Sequence, residues 1–428
     1  LVCGVEYLAC RHGLSGVPQP PGSPHESDLL SRANRSGAME ALVHGSLGIQ
    51  HSGQIRPTAT IVRNDVTTGR EVRYFRKSVV AMRRLMGVCL FDVPRYLKGL
   101  CPRGRTLGDR GWLHICNRDE VLEKNPSGPG VLCRWQWTSD LHACHVLPWL
   151  GRYIYQQALR DWPVHLNQVF RTSSRPEVSF VIPHRGADRL PLLLATIRSI
   201  AAQEDAAVEC IVVEQSNKRS VTTLPDGTRY LHLPHPDGPH SGRKSWAYNV
   251  GANEARSPLI VCHDADILVP AKYASEILSA FKESSLQAAF MQRFLFCFTQ
   301  QQTDEFLETA QVPISIAPER VRQNWKGGTL AIRRDAFFEI GGFDETFVDW
   351  TGEDLEFYDR CGAISCSRYG YVPFIHLWHP PQPSKSGNKR EANLAHTRRV
   401  MAVPREDRIK RLMEMRRLPQ VHCTEVPG

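Results

Sequence analysis

Short apolar runs of strand length alternate with helical segments along the second half of the chain. The runs are VSFVIP (178–183), CIVVEQ (210–215), YLHL (230–233) and PLIVCH (258–263). A continuous apolar pattern is typical of parallel strands that are buried on both faces. After the first run, Leu193, Ile197 and Ile200 recur at helical spacing, and RKSWAYNVGANEA predicts a second helix. This order predicts an α/β fold with a mostly parallel sheet and helices on both faces.

The first part of the chain, residues 1–172, has a weaker pattern, and we expect an N-terminal α+β region of unknown fold. Residues 15–40 are rich in Pro, Gly and Ser and predict a loose segment. The basic stretch that contains Lys77, Arg83 and Arg84 is interpreted as the solvated face of a helix rather than a binding patch. No function follows from this region.

The composition of the 428 residues is that of a globular protein, with 42% apolar and 23% charged residues. The 53 basic and 44 acidic residues give a net charge of +9, which favours anionic partners such as nucleotide phosphates. The basic residues are dispersed and form no recognisable RNA- or DNA-binding motif, so we expect no nucleic-acid partner. No apolar run approaches the ~18 residues of a membrane span, and the first residues lack a signal-peptide pattern.

Thirteen cysteines occur without a CxxC pair, which favours a reducing compartment over a disulfide-bonded scaffold. Cys133, His142, Cys144 and His145 lie close together in the sequence and are candidate zinc ligands. Their spacing fits no standard zinc pattern, so a place in the protein core is favoured over metal binding.

Charged side chains follow the predicted strands, at the edge of the sheet where ligands bind in α/β folds. Arg185 follows the first strand and can donate to a base, a ribose or a phosphate, and Glu214 ends the second strand. Arg243 and Lys244 open the next predicted helix, where cations are electrostatically disfavoured unless an anion binds there. A diphosphate contact and a solvated pair of cations are equally compatible with this position.

The fourth strand ends in the Asp264-Ala265-Asp266 motif. Two carboxylates this close repel each other, and a hard divalent cation relieves the repulsion. A metal site is therefore favoured over a surface turn. Farther along, His376 and His379 follow the strand YVPFI and are candidate metal ligands, although such a pair alone is more often structural.

The segment 327–360 combines a glycine pair, a strand (LAIR), a short helix and an acidic group. Trp350 precedes Thr351-Gly352-Glu353-Asp354. The acids are either the acidic first turn of a helix or, with the aromatic ring, part of a carbohydrate site.

Taken as a set, VSFVIPHR, IVVEQ, RKSWAYNVG, HDAD, GGTLAIRRDAFFEIGGFDE, W-T-GED and HLWH resemble the family 2-like, nucleotide-diphosphate-sugar glycosyltransferases of GT-A (Rossmann-like) fold. The C-terminal half is similar to the galactosyltransferase-type domain of β-1,4-galactosyltransferases, bacterial chondroitin polymerases and polypeptide N-acetylgalactosaminyltransferases. The resemblance covers about residues 176–382. It implies a nucleotide-sugar-binding half at 173–300, an acceptor-binding and catalytic half at 301–385, and a basic tail at 386–428.

For the donor, the resemblance implies that Pro183 and Arg185 contact the uridine nucleotide and that Glu214 reaches the base. Arg243 and Lys244 are both candidates for the contact with the diphosphate.

The resemblance also implies a metal site. Asp266, the second aspartate of the DxD motif, is expected to bind Mn²⁺ or Mg²⁺ directly together with His379, while Asp264 and Gly328 belong to the donor side. His376 takes a position that is Met in the vertebrate galactosyltransferases, so it is a further candidate ligand and the choice between the two metals stays open.

On the acceptor side, Trp350, Gly352, Glu353 and Asp354 match the Trp-x-Gly-Glu-Asp motif, with Thr351 in place of a common Gly. Asp354 is the candidate general base and Glu353 the residue that orients a hydroxyl. Retaining relatives usually carry Asn at the position of Asp354, so the aspartate favours inversion.

The implied reaction moves a hexose or N-acetylhexosamine, with the galactose type favoured, from a UDP-sugar to a glycan hydroxyl. A retaining N-acetylgalactosaminyltransferase-like enzyme and a non-catalytic glycan- or nucleotide-binding module remain the alternatives. A nucleotidylyltransferase is disfavoured because HRGADRLP lacks the usual Gly-rich loop with a trailing Lys.

The tail segment 404–419 predicts a short basic helix, for which packing on the domain is favoured over contact with an acidic membrane. Because no N-terminal span is visible, we expect a cytoplasmic enzyme, with peripheral contact at the inner face of the membrane as the alternative. Its expected acceptor is a glycan or lipid-linked glycan in surface polysaccharide synthesis. The oligomeric state stays open.

Overall fold

The computed structural model describes residues 79–100, 110–134, 138–171, 175–233, 243–282, 285–348, 352–381 and 387–417. These residues all belong to one compact unit, Ser78–Gly428. The predicted loose segment 15–40 and residues 1–78 as a whole lie outside the described residues, as do Trp350 and Thr351.

Fourteen strands and eleven α-helical segments make up the described part of this unit. The strands are β1 (Leu122–Lys124), β2 (Val131–Cys133), β3 (Ser139–Asp140), β4 (Val178–His184), β5 (Val208–Glu214), β6 (Arg229–His232), β7 (Leu259–His263), β8 (Ile267–Leu268), β9 (Ala288–Ala289), β10 (Gln292–Cys297), β11 (Arg320–Gln323), β12 (Thr329–Arg333), β13 (Cys366–Ser367) and β14 (Val372–His376). The helices are α1 (79–100), α2 (His142–Val146), α3 (Pro148–Asp161), α4 (Leu190–Ala201), α5 (Lys244–Glu254), α6 (Tyr273–Lys282), α7 (Gln300–Thr309), α8 (Arg334–Glu339), α9 (Glu353–Arg360), α10 (Gly387–Met401) and α11 (Arg405–Arg417).

A seven-stranded sheet lies at the centre, in the order β13-β9-β12-β7-β4-β5-β6. Strands β7, β4, β5 and β6 run parallel, and β12 runs antiparallel between β7 and β9. Every residue of β4 is buried, as its continuous apolar sequence requires. The predicted mostly parallel α/β sheet is therefore confirmed.

Helices cover both faces of this sheet. Successive residues of each strand point to opposite sides, so a continuous apolar strand places apolar side chains on both faces. Even-numbered residues of β4 such as Phe180 and Ile182 pack in one hydrophobic core with helix α4, whereas Val181 packs in the other with α5 and α8. The predicted helices along DRLPLLLATIRSIAAQE and RKSWAYNVGANEA are α4 and α5.

A second, mostly antiparallel sheet follows the order β3-β11-β10-β14-β8. Its edge strand β3 comes from the region before residue 172 and pairs with β11, Asp140 opposite Arg322. At the other edge, β14 pairs with β8, which places His376 opposite Ile267. This last pairing brings the histidine segment against the DxD segment.

The predicted tail helix is present as α11 and packs on the domain. Leu412 is buried, and Arg408 is 2% exposed. No helix within the described ranges combines the length and the apolar character needed to cross a bilayer.

Candidate active site

A buried lysine at the start of α5 is surrounded by three carboxylates. Lys244 Nζ lies 2.8 Å from Asp264 Oδ1, 3.2 Å from Asp354 Oδ2 and 3.5 Å from Glu353 Oε1. Burial alone would lower the pKa of Lys244, but the three acids outweigh it and raise the pKa well above its usual value. The lysine therefore joins the end of β7 to the start of α9 as a permanent cation.

Asp354 is held at the first turn of α9 by close backbone packing. Gly352 caps the helix in the left-handed conformation, φ 93°, and Thr397 of α10 fills the space where a Cβ would be. A Cβ on Gly327 would collide with the Asp354 carboxylate, so two glycines allow this approach. The sequence left two interpretations of these acids open, the first turn of a helix or part of a binding site. In the structure they form the first turn of α9 and also belong to the charged cluster around Lys244.

The pKa of Asp354 is raised to about 7. Burial is the main cause, and the negative charges of Glu353 and Asp264 add to it, whereas Lys244 opposes it. A carboxylate with this pKa is about half ionised near neutral pH, which suits a general base.

The three predicted metal ligands lie together. One ligand atom each from Asp266, His376 and His379 lies within 4.8 Å of the others, which is the one such group found among the described residues. His379 Nε2 lies 3.2 Å from Asp266 Oδ2, and its Nδ1 lies 2.9 Å from the Pro380 carbonyl oxygen. A carbonyl oxygen can only accept, so Nδ1 is the donor in this contact, and Nε2 is the nitrogen that faces Asp266.

This donor set fits a divalent cation. Two imidazoles and a carboxylate are ligands that suit Mn²⁺ and neighbouring transition metals. Burial would raise the pKa of Asp266, but His376, His379 and Arg189 outweigh it, so the carboxylate stays ionised. Arg189 Nη1 lies 3.0 Å from Asp266 Oδ2, a contact that the sequence analysis missed. The only sequence signal was a cation four residues after Arg185.

Glu214 is buried at the end of β5, and its carboxylate accepts hydrogen bonds from Ser220, Val221 and Tyr230. Burial would raise the pKa of Glu214, but these hydrogen bonds lower it to about 2. In this structure Glu214 holds the loop after β5 in place, and the predicted contact with a base remains a prediction.

The remaining donor-side residues lie near the same edge. Pro183 is buried in β4, and Arg185 follows β4, partly exposed. Arg243 Nη1 donates to the Glu345 carbonyl oxygen at 2.9 Å, and its backbone N–H donates to the Gln215 side chain at 3.0 Å. Gln215 was not predicted as a site residue, because its partner Arg243 lies 28 positions away and no local sequence pattern links the two.

Two further contacts order the DxD loop. The backbone N–H of Asp264 donates to the Gly328 carbonyl at 2.8 Å, and Tyr248 donates its hydroxyl to Asp264 Oδ1 at 3.0 Å. Gly328 has φ 85°, a conformation that favours glycine.

The C-terminal helices hold α9 in position. Arg408 Nη1 lies 2.6 Å from Glu356 Oε1, and its Nη2 pairs with Asp359. Arg360 contacts the same buried Glu356 at 2.7 Å. Because Glu356 lies on the helix that carries Asp354, α11 is a structural part of the site.

Among the described residues, the candidate zinc ligands Cys133, His142, Cys144 and His145 do not form a metal-ligand group. Cys133 and Cys144 are buried in the core, and the compact metal-ligand group in the described residues is the one around Asp266.

Comparison with known proteins places glycosyltransferase sequences in this part of the chain. A family model described as glycosyl transferase family 2 matches residues 179–342, and one described as the N-terminal domain of galactosyltransferase matches residues 318–373. The chain contains a GT-A glycosyltransferase domain. Together the two models cover the residues of the buried cluster and Asp266 of the metal group, whereas His376, His379, α10 and α11 lie beyond them.

Two individual proteins are similar to parts of this chain. The "Probable N-acetylgalactosaminyltransferase 9" of Caenorhabditis elegans is 36% identical over 98 residues, which is 21% of this chain and 16% of that protein. The chain therefore corresponds to a small part of that relative. The catalytic domain of Drosophila beta1,4galactosyltransferase 7, solved with xylobiose, aligns over 50% of this chain and 78% of its own with 18% identity and a TM-score of 0.31.

Proposed function

We propose that the chain is a metal-dependent, inverting glycosyltransferase that moves a hexose or N-acetylhexosamine from a UDP-sugar to a glycan hydroxyl. The observation that carries the proposal is the pairing of two sites on one edge of the sheet. One is the carboxylate of Asp354 with a pKa of about 7, and the other is the Asp266, His376 and His379 group. Asp264 connects them, since it contacts Lys244 and lies two residues from Asp266.

In the proposed reaction, Asp354 accepts the proton of the acceptor hydroxyl as that oxygen attacks the anomeric carbon. Glu353 lies beside it and orients a hydroxyl group. The diphosphate leaves with developing negative charge, which Arg185 after β4 and Lys244 at the start of α5 offset. Asp266, His376 and His379 would hold a divalent cation, which would supply Lewis-acid neutralisation of that diphosphate. One displacement at the anomeric carbon inverts its configuration.

The donor is proposed to be of the galactose type, and the similarity to an N-acetylgalactosaminyltransferase makes UDP-N-acetylgalactosamine the second sugar to test. We place the acceptor among glycans and lipid-linked glycans of surface polysaccharides, reached from the cytoplasmic side of a membrane.

The test is UDP release from a panel of UDP-sugars, with and without Mn²⁺ or Mg²⁺, for the natural chain and for Asp266→Ala. Loss of a group that only orients a metal ligand typically costs about 10- to 100-fold, so loss of a direct ligand is expected to cost more than ~100-fold. Asp304→Ala, an exposed aspartate of α7, is the matched control and should keep full activity.

Calorimetry on the same samples measures metal-dependent UDP binding and needs no acceptor. Binding without turnover on any glycan would favour the non-catalytic module. Neither turnover nor metal-dependent binding would refute the proposal.

A further inference from the structure

Exposed apolar side chains are concentrated on one helix. Of the sixteen large hydrophobic side chains that are exposed in the described part of the chain, seven lie on α1. They are Val80, Met82, Leu85, Met86, Leu90, Phe91 and Leu97. Isolated exposed apolar residues are ordinary, but a contiguous set marks an interaction surface.

Helix α1 is attached to the domain by its other side. Val88, Asp92 and Tyr96 recur every four residues and are at most 5% exposed. Met82, Met86 and Leu90 recur at the same interval on a different face and are 55–64% exposed. The fold therefore holds the helix from Val88 onward with Leu90 facing outward, and residues 80–86 before it are exposed at every position. A π-helical turn at Val88–Asp92 lies between the free end and the attached end of the helix.

The charges on the exposed surface of α1 are all positive. Arg83, Arg84, Arg95 and Lys98 are exposed. The single acid of the helix, Asp92, is buried and ion-paired with Arg118 at 2.6 Å. An apolar face flanked by cations is the pattern of helices that lie in the interface of anionic membranes.

We propose that α1 binds an anionic lipid surface, with Met82, Met86 and Leu90 in the interface and the arginines at the head groups. The sequence reading of Arg83 and Arg84 as a solvated face considered the charges alone. The exposed apolar positions on both sides of them, Met82 and Leu85, change that interpretation. The proposal needs no enzymatic activity and is independent of the proposed reaction.

Charge favours an anionic membrane over two other partners for this helix face, which are residues 1–78 and a second copy of the chain. Residues 1–78 contain nine basic and six acidic residues, so that segment has the same sign as the helix surface. A second copy of the chain would bring the same basic face. An anionic bilayer complements both the charge and the apolar face.

The tail helix α11, which the sequence had suggested for membrane contact, is less suited to it. Its Leu412 is buried, and Arg405, Arg408 and Arg411 are ion-paired with carboxylates of the domain. Three of its cations are therefore already paired within the protein.

The experiment is vesicle flotation of the full chain with phosphatidylcholine vesicles, with and without phosphatidylglycerol. The first variant combines Arg83→Gln and Arg84→Gln, and the second combines Met82→Ser, Met86→Ser and Leu90→Ser. Matched controls are Arg398→Gln with Arg399→Gln on α10, and Ile314→Ser, which is 52% exposed elsewhere. All these positions are exposed, so the variants are expected to fold, and circular dichroism checks this.

The natural chain should float with phosphatidylglycerol vesicles and lose binding at high salt. At about 1 kcal/mol for each basic residue near the surface, the double arginine variant should bind about 30-fold more weakly. The apolar variant should lose at least ~10-fold, and both controls should bind like the natural chain.

Equal flotation of the α1 variants and the natural chain would overturn the proposal, as would equal binding to uncharged vesicles. No flotation, combined with a dimer by light scattering that the apolar variant dissociates, would assign the face to a second copy. No flotation, combined with faster proteolysis of residues 1–78 in the same variant, would assign it to that segment.

Discussion

Replacement of Lys244 by methionine tests whether this buried lysine sets the pKa of the proposed base. Lys244 Nζ lies 3.2 Å from Asp354 Oδ2. At an effective dielectric constant of ~20, this distance corresponds to about 5 kcal/mol of attraction, an upper bound of about 4 pH units. Since 26% of the Asp354 side chain is exposed, solvent screening reduces the effect. We expect the pKa to rise by at least about 1 unit.

The sign follows from the charges that remain. Without the lysine, Glu353 and Asp264 still disfavour the ionised form of Asp354, and nothing in the cluster offsets them. A rise in pKa from about 7 to about 8 lowers the ionised fraction at pH 7 from about one half to about one tenth. The rate at pH 7 should therefore fall about 5-fold for this first unit, about 10-fold for each further unit, and recover at higher pH.

The assay is kcat/KM for sugar transfer, measured from well below to well above pH 7. The acidic limb of the profile should move to higher pH in Lys244→Met. Lys282→Met, at an exposed lysine of α6, should leave the profile unchanged.

An acidic limb that stays in place or moves to lower pH would refute this electrostatic role. A loss of rate that is equal at every pH would limit the role of Lys244 to the proposed diphosphate contact.

Three other substitutions test the rest of the site. His379→Ala should abolish Mn²⁺-dependent UDP binding in calorimetry while the melting temperature stays within a few degrees, because only a ligand is removed; unchanged binding would exclude this residue from the metal site. Arg408→Met should lower the free energy of unfolding by about 2–3 kcal/mol in urea titration. The loss is smaller than for an isolated buried ion pair, because Arg360 still contacts Glu356. A change below ~0.5 kcal/mol would contradict the role of Arg408 in holding α9 in position. Gly327→Ala should displace the general base and lower kcat/KM about 100-fold with a native circular-dichroism spectrum; full activity would show that the carboxylate has room to move.

The central sheet was predictable because its signals are local. Each of β4, β5 and β7 is a continuous apolar run, and each intervening helix has its own spacing of apolar residues. The second sheet was not predicted, because β3 and β8 are two residues long and gain their structure from partners. Asp140 pairs with Arg322, and no pattern within either segment indicates the other.

The same distinction applies to the site. The DxD motif and the Gly-Glu-Asp motif identify Asp266, Glu353 and Asp354 from adjacent residues. The burial of Lys244 among three acids depends on residues 20 to 110 positions away, so the sequence indicated a cation but not its partners. Arg189, beside Asp266, escaped notice for the same reason.

The Lys244 cluster connects donor binding to the proton transfer, given the proposed reaction. The lysine is shared between Asp264, on the donor side, and Asp354, on the acceptor side. A diphosphate that attracts Lys244 would weaken its attraction to Asp354, and the pKa of that carboxylate would then rise. The base would therefore become a stronger proton acceptor when the donor is bound, so the acidic limb of kcat, which reports the bound enzyme, should lie at higher pH than that of kcat/KM. Equal limbs would show that donor binding leaves the lysine where this structure has it.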